Sequence, residues 1–572
     1  MPKNLQKPPQ KPRASSQGRG KPTTGAKAGA SNSSARRKPR KPLVQKGSAP
    51  KQFKAVKKAK KESPTPPKPD HTFPTTIIGL ISPVGINKKN IIETITEVLG
   101  GLNCEAKIIK ITEILKNIPR YKELNTISPE QEDRRIKIFM DAGDHLRKHA
   151  NSMAFSFLAI REIKKDRELH PDRRIVYIID SLKNPSEIKL LKHVYTNRFL
   201  PIAFNLDRES RLSNLMKKIA GAHYVENEKH YRHTADKLID RDEDGGTLTG
   251  QNIRDAFPLA DVFVNCEGNF KPAVERALKT WFGNSFITPN REEVGMFIAS
   301  AIALRSSDLS RQVGAVIIDK DGTILATGCN ESPSISGGVT WDGDPVDIRD
   351  FNEGYDTNYR FKQSSIGEIV DALIQHKWLR DDLGTKNKEE LVKKVEKDHV
   401  FKGTRITNLI EFGKIVHAEM AAITEAARRG SSIDGSTLIC TTYPCHMCAR
   451  HIIASGIKRV VYIEPYPKSL STLLYGKLIS HTSETDKIHF SSFEGVGPNR
   501  FRDFFTMNER KNSQGIKIDW NPKTSKLKGH VVFNFTELLE NSIDRILEDE
   551  KQEYGFLVGK KDPNKWKMEV EK

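Results

Sequence analysis

Two short stretches carry side chains whose types and spacing could do chemistry. Ile415 to Met420 reads I-V-H-A-E-M, and Thr442 to Arg450 reads T-Y-P-C-H-M-C-A-R. Cys445 and Cys448 could be a redox pair, half of a closed structural zinc site or, with His417, three ligands of a catalytic metal whose fourth position is left to water. Cysteines three apart in the first turn of a helix put both sulfurs on one side, where the helix N-terminus favours thiolates. His417 starts the preceding helix and can supply the third ligand. Glu419, two residues on, points differently and can address water rather than metal. A redox pair needs no H-x-E, and a closed site needs a fourth ligand. His446 could be that ligand only in principle, because it lies inside the C-x-x-C turn.

H-x-E followed by P-C-x-x-C is the zinc-deaminase signature: an activated water attacks the amine-bearing ring carbon, and the glutamate carries protons to the ring nitrogen and the leaving ammonia. Zn2+ is therefore expected on His417, Cys445 and Cys448, with Glu419 as the acid and base. The elements that must hold these residues begin near Thr288. R-E-E-V-G-M-F-I-A-S-A-I-A-L-R-S reads as a helix, and Q-V-G-A-V-I-I-D with T-I-L-A-T-G as a hairpin around Lys320-Asp321-Gly322. H-A-E-M-A-A-I-T-E-A-A-R-R reads as a helix closed by Gly430. The strand S-T-L-I-C-T-T, the helix of the two cysteines and the strand K-R-V-V-Y-I-E follow. The insertion at 331–410, rich in Asp, Gly and Trp at first and helical later, finds no place in this pattern.

A different α/β texture precedes it. T-T-I-I-G-L-I-S, R-I-V-Y-I-I-D, F-L-P-I-A-F-N-L and A-D-V-F-V-N read as strands alternating with helices, which implies a parallel sheet covered on both faces. G-L-I-S-P-V-G-I-N-K-K-N lies between the first strand and its helix, where backbone N–H groups could cradle phosphate. The standard loop requires Lys directly after its second glycine, whereas Ile86 and Asn87 separate Gly85 from Lys88. Gly79, Ser82, Gly85 and Lys88 are the candidate phosphate-binding residues. Residues 1–70 hold 20 Lys and Arg against Glu62 and Asp70, and 12 of the 30 prolines, so +18 of the net +22 lies there and the body is nearly neutral. Such a segment cannot bury enough apolar surface to offset its ordering entropy, and a disordered tail is expected over 1–72. It is either a solvated extension or an RNA-attracting arm. No signal-peptide core and no bilayer-crossing run appears, so a soluble, cytoplasmic protein is expected. Six cysteines do not make a disulfide framework, and Cys104, Cys266, Cys329 and Cys440 read as small core residues.

In order, Q-V-G-A-V-I-I-D, A-T-G-C-N-E-S-P, I-V-H-A-E-M-A-A-I, T-T-Y-P-C-H-M-C-A and G-I-K-R-V-V-Y-I resemble a dCMP deaminase core. In that family the asparagine of T-G-x-N contacts the nucleotide, which implies Asn330 as a substrate residue; the family's following glycine is Glu331 here. I-D-S-L-K-N-P-S-E-I-K-L-L is similar to P-loop nucleotide kinases. The fusion, with G-G-V-T-W-D-G-D, Y-P-K-S-L and F-E-G-V-G-P-N-R-F-R-D-F-F, resembles bacterial anti-phage dCTP/dCMP deaminases over about residues 75–510. The expected fold class is α/β: a P-loop-type parallel-sheet domain (73–285), a three-layer α/β/α cytidine-deaminase-like domain (286–510) and an extension, 511–572, packing on the deaminase. The resemblance implies deamination of dCTP and dCMP to dUTP and dUMP in anti-phage defence. It also implies a second nucleotide at the P-loop-like domain, a small regulatory RNA and a homo-oligomer, with no membrane partner. The alternatives are a polynucleotide cytidine or adenosine deaminase and a non-catalytic RNA-binding regulator on a deaminase scaffold; the intact Glu419 argues against the second.

Overall fold

In the computed structural model the described residues are 73–548 and Leu557, except 129–130, 248, 379–387, 399, 402–403, 405, 407–408, 467–468, 483–485, 525–526 and 529–535. The expected disordered tail lies outside them.

The first sheet orders its strands β2-β3-β1-β4-β5, all parallel: β1 (Thr76–Ile81), β2 (Glu105–Lys110), β3 (Ile175–Asp180), β4 (Phe199–Asn205) and β5 (Val262–Asn265). Every residue of β1 is buried, which suits a central strand covered on both faces. β2, E-A-K-I-I-K, lies at the edge with only Ile109 buried, so its charged alternation hid it from the sequence pattern. The helices used below are α1 (Lys88–Gly101), α2 (Glu132–His149), α3 (Ala154–Leu169), α4 (Pro185–Tyr195), α5 (Arg208–Ala222), α6 (Arg232–Glu243) and α7 (Lys271–Trp281). β1 is the switch point, flanked by β3 on one side and β4 on the other, and ligands of open α/β sheets bind at such carboxyl ends. A cavity of about 870 Å³ opens there, lined by the loop from Ser82 to Lys89.

The second sheet follows α8 (Arg291–Ala303). β6 (Gly314–Ile318) and β7 (Ile324–Cys329) form the expected antiparallel hairpin. After α9 (Thr357–Gln375) and α10 (Ala418–Arg429) come β8 (Thr437–Thr442), α11 (His446–Ala454), β9 (Arg459–Glu464), β10 (Ile479–Ser480) and β11 (Ile488–Ser492). The order is β10-β11-β9-β8-β6-β7, parallel from β10 to β8. Alternation along the strands sends Val316, Ile318, Ile439 and Val461 into the cluster with Met296 and Ala299 of α8. It sends Ala315, Ile317, Leu438, Cys440 and Val460 into the cluster with α10 and α11. Three layers result.

The expected boundary at 285–286 separates elements but not the core. One apolar cluster runs from Ile77, Tyr177 and Phe199 of the first sheet to Ile439 and Val461 of the second. β12 (Gly495–Val496) returns to pair antiparallel with β5, completing the first sheet from beyond the second. Glu293 of α8 fixes that return: it accepts from Val496 N at 2.8 Å and from two nitrogens of Arg276 at 2.6 and 2.8 Å. Arg500, on α12 (Pro498–Phe505), donates to the oxygens of Asn197 and Phe199 beside β4.

The segment after 510, expected on the deaminase, instead meets the first sheet's layer. Trp520 Nε1 and Lys528 N donate to the carbonyls of Phe282 and Trp281. α13 (Thr536–Glu548) packs on α3 and α4. Buried Glu540 accepts from Arg167 at 2.8 and 3.1 Å and from Tyr195 Oη at 2.9 Å, an anchor that the deaminase layer does not offer. Among the described residues no helix is long and apolar enough to cross a membrane.

Candidate active site

Two helix N-termini meet at the end of the second sheet. His417 is the N-cap of α10 and Cys445 the N-cap of α11, its sulfur accepting from Cys448 N at 3.4 Å. The backbone of Glu331 pairs with Val416, which fixes the approach to His417. β7 and α10 approach so closely that a Cβ on Gly328 would stand 2.3 Å from Ala418 O.

His417 Nδ1 lies 3.3 Å from Cys445 Sγ and 3.5 Å from Cys448 Sγ, and the three donor atoms fall within 4.8 Å of one another. A tetrahedral zinc with ordinary bond lengths separates a ligating nitrogen from a ligating sulfur by about 3.5 Å. The donor set and its spacing therefore fit the ion. The hydrogen bond from Cys448, against burial and with His417 beside it, pulls the Cys445 thiol down to about 4. The same bond, with burial, pushes Cys448 well above its usual range. Burial opposes protonation of His417, but the bond and charge of Cys445 raise it to about 9. Glu419 is 4% exposed, and burial first, then the Cys445 charge, holds its carboxyl above the usual range. A carboxyl so poised can give a proton as well as take one.

A cavity of about 210 Å³ opens above His417, Glu419 and Cys445. One wall is Ser307 to Arg311 and Val313, with Asn330; another is Thr442, Tyr443 and Tyr466; the third comes from the insertion and its return, with Asp350, Asp356, Asn358, Ile410, Gly413 and Ile415. Asn330 lies in the wall as expected, but its amide latches the loop: Oδ1 accepts from Val313 N at 2.6 Å and Nδ2 donates to Arg311 O at 2.7 Å. Glu331, fully buried, accepts from Ser307 N at 2.8 Å and Ser307 Oγ at 2.6 Å, so the carboxylate standing for the family's glycine ties the same loop down. Sequence reasoning missed Arg311, Tyr443 and the whole insertion wall. The one signal for the latter was Asp356 before a helical pattern, and Asp356 is the N-cap of α9, accepting from Tyr359 N.

The phosphate-loop candidates divide. Ser82, Gly85 and Lys88 line the large cavity of the first sheet. Gly79 does not: it sits inside β1, paired to both neighbours, where a Cβ would strike Leu182 and Phe199 at 2.7 Å. Its missing side chain serves packing. Gly85 has φ +92°, and a Cβ there would meet Arg211 O at 2.5 Å. Lys88 reaches Asp180 at 2.8 Å. A carboxylate of the chain itself stands on the loop: Asp242 accepts from Val84 N at 2.7 Å and from Lys183, which also donates to Ser82 O. The Ser82 hydroxyl is buried without a partner.

Residues 289–464 match the family model described as the cytidine and deoxycytidylate deaminase zinc-binding region. The deoxycytidylate deaminase of Enterobacteria phage T2 is 36% identical over 174 residues, 30% of this chain and 79% of that one. Its counterpart from phage T4 is 34% identical over 174 residues, 30% of this chain and 77% of that one. A solved dCMP deaminase from cyanophage S-TIM5, in complex with dCMP and dUMP, aligns with 36% of this chain and 99% of its own at 21% identity and a TM-score of 0.21. Site and matched region together define a deaminase domain with a zinc-binding region. The chain belongs to the family of cytidine and deoxycytidylate deaminases.

Proposed function

We propose that the protein hydrolytically deaminates deoxycytidine nucleotides, dCMP and dCTP, to the deoxyuridine nucleotides and ammonia. The observation that carries this is the buried Glu419 carboxyl beside the His417, Cys445 and Cys448 donors on the floor of a walled cavity. Zinc held by those three residues supplies the Lewis acidity that activates a water at neutral pH. Glu419 takes one proton from that water and delivers it to the ring nitrogen as the water oxygen bonds to the amine-bearing carbon; it then takes the proton left on that oxygen and gives it to the amine, so that the C–N bond breaks, ammonia leaves and the carbonyl forms. Among the described residues that line the cavity, Arg311 is the only Lys or Arg, and it is half exposed, a placement that suits the 5′-phosphate. Asn330 holds the loop that presents Arg311, and its second amide hydrogen is assigned to the nucleotide. The insertion wall favours a mononucleotide over a polymer. The tail, with its charge of +18, is assigned to a regulatory RNA, and the activity to depletion of deoxycytidine nucleotides during phage infection.

We further assign the first-sheet cavity to a second, regulatory nucleotide. Its place at the switch point and the unpartnered Ser82 hydroxyl support this, with Gly85 and Lys88 in the loop and Asp242 as the group displaced from Val84 N. The test is incubation of purified protein with dCMP, dCTP, CTP and single-stranded DNA, with products resolved by chromatography. Glu419→Gln should keep its zinc and lose at least about a thousandfold in rate. A zinc-free Glu419→Gln protein, or one with most of its rate, overturns the assignment of roles.

A further inference from the structure

We propose that Asn358, from the insertion, is a specificity-determining residue whose Oδ1 accepts a hydrogen bond from the 3′-hydroxyl of the substrate sugar. The inference rests on reading the cavity as a deoxycytidine nucleotide site. Asn358 lines the same cavity as His417 and Glu419 although it lies far from the deaminase motifs in sequence. Its amide has a defined orientation, because Nδ2 donates to Leu409 O at 3.0 Å. With the nitrogen so fixed, Oδ1 is left buried and without a partner. A buried acceptor left unpaired is costly, and in a cavity wall it is explained by a ligand that brings the donor.

The backbone under Asn358 is held on both sides. Asp356 caps α9 through Tyr359 N at 2.8 Å, and Asp350 accepts from Thr357 N at 2.8 Å and Thr357 Oγ1 at 2.6 Å. The Asn330 amide oxygen is already taken by Val313 N, and Asp308 by the N–H groups of Ser310 and Arg311. Asn358 is also neutral, so it adds no repulsion toward an anionic substrate.

The substrate's chemistry selects the donor. On a deoxycytidine phosphate, the ring nitrogen N3, the carbonyl O2 and the phosphate oxygens all accept. The donors are the 4-amino group and the 3′-hydroxyl. The amino group must lie beside Glu419 and leaves in the reaction, which assigns the 3′-hydroxyl to Asn358.

The experiment compares kcat/KM for dCMP and for 2′,3′-dideoxycytidine 5′-monophosphate in the wild type, Asn358→Leu and Asn358→Ala, with zinc content and melting temperature measured alongside. The wild type should prefer dCMP about tenfold or more, mainly through KM, because the analogue leaves the acceptor unpaired. Both variants should treat the two substrates alike within about twofold. The ratio is read within each protein, so a general loss of stability cancels. A wild type without preference, or variants that keep it, overturns the inference while leaving dCMP deamination intact. A wild type that does not deaminate dCMP overturns the underlying reading as well.

Discussion

Gly328→Ala places one methyl group between β7 and the helix that begins at His417. The added carbon would stand 2.3 Å from Ala418 O, 2.4 Å from Ala422 N and 2.9 Å from the Ala421 Cβ. Two of these are backbone atoms, so no side chain can rotate away. Ordinary contact begins near 3.4 Å, so α10 must retreat by about 1 Å, and a displacement of that size at a reacting group can cost about a hundredfold in rate. Glu419 moves with the helix while Cys445 and Cys448, on α11, do not. The expected result is a drop in kcat of about a hundredfold, reduced zinc retention and a stability loss of about 1–3 kcal/mol. Gly314→Ala is the control. Its Cβ would stand 1.9 Å from Ala299 O of α8, a clash at least as severe on the opposite face of the same sheet. It should lower the melting temperature comparably yet keep turnover per zinc-loaded molecule within about threefold. The assay is dCMP turnover by chromatography, with zinc quantified in each preparation. Equal turnover for both variants at equal zinc would refute the claim that the β7 to α10 spacing sets the position of Glu419.

Glu540→Ala should destabilise by about 3 kcal/mol in urea, because it strips Arg167 and Tyr195 of a fully buried partner; zinc content should not change, since α13 packs on the first sheet's layer. Burial first, with the charges of His149, Arg120 and Lys148, holds His145 down from 6.5 to about 4. The unfolded chain therefore binds a proton that the folded state refuses, so this contribution is complete above about 6.5 and is lost as pH falls toward 4; His145→Gln should flatten the stability profile in that window, and an unchanged profile would assign the slope to other groups. Deleting residues 1–70, which hold +18 of the net +22, should flatten the salt dependence of RNA binding and leave dCMP turnover within about twofold. An unchanged salt slope would place a basic groove in the folded body.

The sequence by itself determined the donor set. His417, Cys445 and Cys448, with Glu419 beside them as the proton carrier, are legible because such a site demands fixed residue types at short helical spacing, and such spacing survives whatever surrounds it. The central strands were legible for a similar reason: β1, β3 and β4 are buried nearly throughout and read as apolar runs. Other features belong to the tertiary structure alone. β2 is an exposed edge strand whose charges mask its period, and β12 is two residues long, so neither carries a local signal. β12 joins the first sheet only because Glu293 and β5 offer partners there. Gly79 resembled a loop glycine until the strand pairing placed it against Leu182 and Phe199. The extension after 510 could have lain against either layer; the buried Glu540, with its partners Arg167 and Tyr195 on the first sheet's layer, decided it. The insertion's quoted motif, G-G-V-T-W-D-G-D, stops short of Asn358, which stands in the cavity wall with an unspent acceptor. Spacing along the chain specifies which atoms can hold a metal, whereas the shape of the pocket above it depends on contacts between residues distant in sequence, which one-dimensional periodicity does not encode.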